Sequence, residues 1–199
     1  MAHAAVRRKV LAMGGSLAAT AVAPPARAVT DSARVLDDLS DPDAAGRAGA
    51  RWLGFTDQVM GGRSQGQVRR DEIDGRPCLR LTGRVSTDGG GFIQMALEFG
   101  ETGRPLDATG TSGLSLDIWG NGERYNCHLR TTDVRWYEQS YRATFTATPA
   151  WQTVRLAWAD FAPHGLSQPL NLGGLLRIGL LGWMRDFDAD LALARIALV

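Results

Sequence analysis

Leu114-Ser115-Leu116-Asp117-Ile118-Trp119 alternates an aliphatic side chain with a different one at every step. A strand sends successive side chains to opposite faces, so this period of two reads as a half-buried strand and fits no helix. The same period recurs on both sides. Tyr125, Cys127 and Leu129 alternate with Asn126, His128 and Arg130. Ala143, Phe145 and Ala147 alternate with Arg142, Thr144 and Thr146, and Val154, Leu156 and Trp158 with Thr153, Arg155 and Ala157. Further strands are predicted at Val35–Leu39, Gln67–Asp71, Leu79–Val85, Phe92–Phe99, Leu176–Trp183 and Leu191–Val199. Roughly ten short strands broken by Gly and Asp turns predict an all-β antiparallel sandwich. Asp43–Ala50 reads as a loop or one helical turn capped by Asp43, and Trp158–Pro163 as a single helical turn.

Residues 1–28 have the layout of an export signal. Arg7-Arg8-Lys9 opens it, a weakly apolar run from Val10 to Ala23 follows, and Ala26-Arg27-Ala28 forms a small-x-small cleavage site. The paired arginines and the low hydrophobicity point to the twin-arginine route and a periplasmic or extracellular destination. The run is too short and too polar to span a bilayer, so no transmembrane segment remains once the signal is removed. Residues 29–34 read as a tether and 35–199 as a single domain. The signal holds four of the 22 basic residues and none of the 21 acidic ones, which leaves the remainder acidic by three charges. Lys9 is the only lysine. A weakly acidic surface gives no pull on nucleic acid or on an anionic membrane.

A glycine-rich stretch, Asp57-Gln58-Val59-Met60-Gly61-Gly62-Arg63-Ser64, follows Trp52 and precedes a predicted strand. Two adjacent glycines predict a tight loop with positive φ at Gly61 or Gly62. Gly62-Arg63-Ser64-Gln65-Gly66 also fits the G-x-S-x-G elbow of serine hydrolases, but that elbow needs a helix after the serine, and a strand is predicted here. A structural loop is the preferred reading. The same stretch resembles the signature of the complex I intermediate-associated protein 30 family. The resemblance continues through Gly83-Arg84-Val85-Ser86, Gly90-Gly91-Phe92, Gly120-Asn121-Gly122-Glu123-Arg124-Tyr125, Trp151-Gln152-Thr153-Val154 and Ile178-Gly179. It implies a galactose-binding-like, jelly-roll sandwich. It also implies a chaperone-like role in assembling NADH:ubiquinone oxidoreductase in mitochondria, with no catalytic residues and no cofactor. Trp52, Asp57, Met60, Gly61, Gly62, Ser64, Gly91 and Phe92 then form its structural motif.

Candidate ligand contacts come from the polar parity of the middle strands. If those strands are neighbours, Asp117, Trp119, Asn126, His128, Arg130, Arg142 and Thr144 make one patch. An aromatic plate beside guanidinium forks suits a sugar or a peptide. Trp136 and Tyr137 offer a second candidate in a loop. Cys78 shares parity with polar residues and Cys127 with apolar ones, which argues against a disulfide, and no ligand spacing supports a metal. The expectation is a non-catalytic binding module with a protein partner, the alternative being a lectin-like module for a glycan.

Overall fold

The computed structural model describes Met1 and residues 33–40, 50–99 and 104–199. The predicted signal beyond Met1, most of the tether and the Asp43–Ala50 turn, save Ala50, lie outside the described residues. Residues Asp31 to Val199 form one compact unit.

Among the described residues, twelve strands build two antiparallel sheets. They are β1 (Arg34–Asp37), β2 (Arg51–Thr56), β3 (Gln65–Ile73), β4 (Arg76–Val85), β5 (Phe92–Glu98) and β6 (Gly113–Gly120). The series continues with β7 (Arg124–Thr131), β8 (Ser140–Thr146), β9 (Gln152–Ala157), β10 (Ala162–His164), β11 (Leu175–Trp183) and β12 (Phe187–Leu198). Sheet A runs β3-β4-β12-β6-β9, with β1 on the far end of β12; sheet B runs β10-β8-β7-β11-β5-β2. Alternation fills the space between them. Leu114, Leu116 and Ile118 of sheet A and Tyr125, Cys127 and Leu129 of sheet B are all fully buried in one core. β12 needs a correction of phase to serve that core along its whole length. A bulge between Leu193 and Arg195 shifts the register, so Leu191, Leu193, Ile196 and Leu198 all point inward.

The all-β sandwich expected from the period is the observed fold. β2 was not legible as a strand, because Gly54 interrupts it and Trp52 is its one large inward residue. The helical turn expected at Trp158–Pro163 is a 3₁₀ turn at Trp158–Asp160. Both cysteines are free and buried on opposite sides of their sheets: Cys127 in the core, Cys78 on the outer face of sheet A. Cys78 does lie on the outward parity, but Trp119 and Trp151 cover it, and burial raises its pKa to about 11.

The glycine stretch is a knot tied around one carboxylate. Asp57 opens a 3₁₀ turn (Asp57–Met60) and is fully buried. It accepts hydrogen bonds from Ser64 N (2.9 Å), Ser64 Oγ (2.6 Å), Gly91 N (2.6 Å) and Phe92 N (3.3 Å). Gly61 ends the turn at φ 86°, as the loop reading required. Gly62 is needed for a different reason: a Cβ there would stand 2.3 Å from Asp57 Cγ. Ser64 is fully buried and its Oγ also accepts from Ser86 N (3.0 Å), so it clamps two loops and is closed to any substrate.

Candidate functional site

The outer face of sheet B carries a groove of about 810 Å³. That lies within the range of about 300–1,000 Å³ usual for small-ligand sites. Register places its residues in rows. His128 on β7 stands opposite Arg142 on β8 and Gly179 on β11; Arg130, two residues along β7, stands opposite Arg177. Gln94 on β5 faces Leu181 on one side and Phe55 on the other, and Phe92 faces Trp183.

Gly179 makes the floor. A side chain at this position would enter the trough; even a Cβ would come 1.9 Å from Gln94 Nε2. Glycine in the middle of a strand here permits close approach, as it often does. Gln94, 7% exposed, folds across that floor and makes no hydrogen bond with the described residues. His128 is 8% exposed, and its buried Nε2 has no hydrogen-bond partner among them either. A buried ring nitrogen left unpaired at the bottom of a trough is unusual, because buried polar groups are nearly always paired.

The walls are aromatic and cationic. Trp183 meets His128 edge-on at 4.9 Å and Phe92 at 5.9 Å, and the Arg142 guanidinium lies over its ring at 4.8 Å. Arg142 donates to Ser140 Oγ (2.8 Å) and to the Glu138 carbonyl (3.0 Å). Arg130 donates to the Tyr137 carbonyl (3.0 Å) and the Trp136 carbonyl (3.4 Å). Both guanidiniums are pulled below their usual range by burial, Arg130 also by the nearby charge of Arg177. Arg177 pairs with Glu98 and lies over Phe55. The His128 imidazole is driven down to about 3 by burial, then by the charges of Arg142 and His164, so it is neutral over the ordinary pH range. Val59, Met60 and Met184 rim one end and Tyr137 another, all exposed. A second hollow of about 760 Å³, lined by Gln58, Gln65 and Gln67, opens off the groove and shares Phe55, Val59 and Gln94 with it.

The patch expected from parity divides between the sheets. β6 pairs with β12 and β9, not with β7, which puts Asp117 and Trp119 on the opposite side of the sandwich. There Asp117 accepts from Thr153 Oγ1 (2.7 Å) and Trp119 lies under Arg80. His128, Arg130, Arg142 and Tyr137 line the groove. Asn126 and Thr144 lie beyond its end and bond each other (3.0 Å). Trp136 is exposed beside Tyr137 without lining the groove. Of the loop motif, Met60 and Phe92 reach the groove, while Trp52 bonds Asp37 Oδ2 (2.8 Å). Sequence reading missed Trp183, Gln94, Arg177 and Leu181, whose strands carry apolar residues on both faces. Gly179 inside β11 was the available signal.

Solved structures sharing this fold include the family 11 carbohydrate-binding module of a cellulosomal cellulase of Clostridium thermocellum. It has 13% identity and a TM-score of 0.63, over 84% of this chain and 94% of that one. The Clostridium thermocellum module in complex with a β-1,3-1,4-mixed-linked tetrasaccharide gives 13% and 0.62, over 84% and 95%. A family 30 module from a cellulosomal cellulase of the same organism gives 16% and 0.50, over 69% and 90%. At such identities the likeness concerns the fold, a galactose-binding-like jelly roll. No curated protein matches the sequence. The family model for complex I intermediate-associated protein 30 matches residues 41–189, and the chain belongs to that family.

Proposed function

We propose that this chain is an exported, non-catalytic module that binds a glycan in the groove of sheet B. The observation that carries the reading is where the polar groups stand. Protein interfaces tend to have an apolar centre and a polar rim. This groove departs from that order: the unpaired His128 Nε2 and the Gln94 amide lie at the floor among aromatic walls, and Val59, Met60, Met184 and Tyr137 stand exposed at the rim. A sugar chain needs such convergent donors and acceptors for its hydroxyls and flat apolar surface for its ring faces. The side hollow lengthens the trough, which suits an extended ligand. The tetrasaccharide held by a module of the same fold supports the reading.

The test is calorimetry of the protein without residues 1–28 against a panel of oligosaccharides. Trp183→Ala should weaken binding about tenfold or more, the equivalent of about 1.4 kcal/mol, and Trp119→Ala should leave it unchanged. Absence of binding across the panel, or binding that survives Trp183→Ala, sinks the reading. Export is tested by sequencing the amino terminus of the envelope fraction. Cleavage after Ala28 is expected, and an uncleaved cytoplasmic protein overturns it.

A protein partner is the second reading. Val59, Met60 and Met184 are exposed by half or more and sit together at one end of the groove, and the family is named for association with an assembly intermediate. Capture of a defined envelope protein that is lost in Met60→Asp, with no glycan bound, would favour it.

A further inference from the structure

We infer that the groove is built for an acidic sugar chain, with a uronate carboxylate held between Arg130 and Arg142. This rests on the glycan reading and names the class of glycan. The argument begins with charge. The chain as a whole is close to neutral, with 22 basic and 21 acidic residues. The groove is not. Arg130, Arg142 and Arg177 all line it, and among the described residues only Arg177 has a carboxylate in direct contact, Glu98; the charges of Glu98 and Glu138 reach Arg130 from farther off. Arg130 and Arg142 hold only backbone carbonyls and a serine hydroxyl. Glu138, the carboxylate on the rim, is exposed; its charge acts on Arg130 without forming an ion pair with either arginine.

Leaving two half-buried guanidiniums without a carboxylate in direct contact is costly unless something completes them. Register shows where that would be. His128 is directly opposite Arg142, and Arg130 lies two residues along the same face of β7. The two arginines are therefore diagonal neighbours, about 7–8 Å apart at the backbone and within reach of long side chains. Both are already tethered by the 136–140 segment, so little side-chain freedom remains to be lost on binding. A guanidinium fork presents paired N–H groups that match a carboxylate. Gln94 and the neutral His128 beside them suit the C2 and C3 hydroxyls that a 1,4-linked uronate leaves free. A neutral sugar would satisfy the floor and leave both cations without a carboxylate in contact.

The experiment compares matched ligands. Calorimetry would use α-1,4-galacturonate and β-1,4-mannuronate tetrasaccharides, each beside its carboxyl-reduced, uncharged counterpart. At least one uronate should bind about tenfold or more tighter than its reduced form, because charge-assisted pairs are roughly twice as strong as neutral ones. That advantage should shrink at high salt. Arg130→Gln and Arg142→Gln should each remove it, with melting temperature recorded to show the variants folded. Equal or tighter binding of the reduced sugars overturns the inference and leaves the glycan reading standing. Failure of every sugar, charged or reduced, overturns both. A uronate preference untouched in both folded arginine variants places the anion elsewhere and overturns this site.

Discussion

The two outer faces of the sandwich use the same residue types for different ends. On sheet A, Arg80 lies over Trp119 and forms a fork on Asp190 (2.7 and 2.6 Å) with a third bond to Asp71 (3.0 Å). Arg76 lies over Trp151 and reaches Asp117 at 3.6 Å. On sheet B, Arg142 lies over Trp183 and Arg130 stands near it, yet neither holds a carboxylate in direct contact. An arginine on a tryptophan is thus no mark of a site. What separates the faces is whether the fold completes the charge. Sheet A closes its own ladder over Cys78 and Ala192; sheet B leaves its ladder open above Gly179.

The largest effect tests what lies beneath that open face. The Asp57 knot holds the Val59–Met60 end of the groove and has no counterpart on the outer face of sheet A. Gly62→Val would drive a side chain into a carboxylate that accepts four hydrogen bonds. Bonds to charged groups contribute about 1.5–3 kcal/mol each. Losing more than one of them costs about 3–5 kcal/mol, a melting temperature lower by roughly 10 °C for a domain of this size. A variant that melts like the wild type would show that the knot relaxes freely.

Next come the arginines themselves. Arg80→Ala strips Asp190 of its fork and leaves Asp71 with Arg69 alone, at a site about three-quarters buried. It should lower stability by about 2 kcal/mol, short of the roughly 3–5 kcal/mol for fully buried pairs. Arg130→Ala frees only carbonyls that solvent reaches and should cost less than about 1 kcal/mol. Urea midpoints would check both. Equal losses would erase the distinction between a closed ladder and an open one.

The layout of the sandwich was legible because its core obeys period two: Leu114, Leu116 and Ile118 could point nowhere else. The site was half legible. His128, Arg130 and Arg142 announce themselves as polar residues on strands, and β7 and β8 are joined in a hairpin, so their proximity follows from the chain. Asp117 and Trp119 were misplaced because the chain crosses between sheets after β6, and local pattern carries no record of which sheet a strand joins. Trp183 and Leu181 were hidden for another reason. A groove wall must be apolar, so its residues look like core. The role of Asp57 was hidden as well, since its donors Gly91 and Phe92 are far away in sequence and meet it only in the folded chain.

A graded effect, spread over two pH units, concerns protons. His128 belongs to the groove, and the outer face of sheet A carries no histidine among the described residues. Its imidazole is held near 3, against an ordinary 6.5, by burial and by Arg142 and His164. The unfolded chain takes up a proton at this residue as pH falls through about 6.5, while the folded chain does not until about 3. The unfolded state therefore binds more protons throughout that window, and stability must fall as pH falls. Between pH 7.5 and 5.5 the loss attributable to this one residue is about 1.4 kcal/mol. Carboxylates add little there, because they titrate near 4 in the unfolded chain. His128→Gln keeps a neutral polar side chain at the floor and removes the titration. Its urea midpoint should be nearly flat between pH 7.5 and 5.5 where the wild type declines. Equal decline in both proteins would mean that His128 is solvated in solution, and that the floor of the groove is not the closed, unsatisfied surface that sets it apart from sheet A.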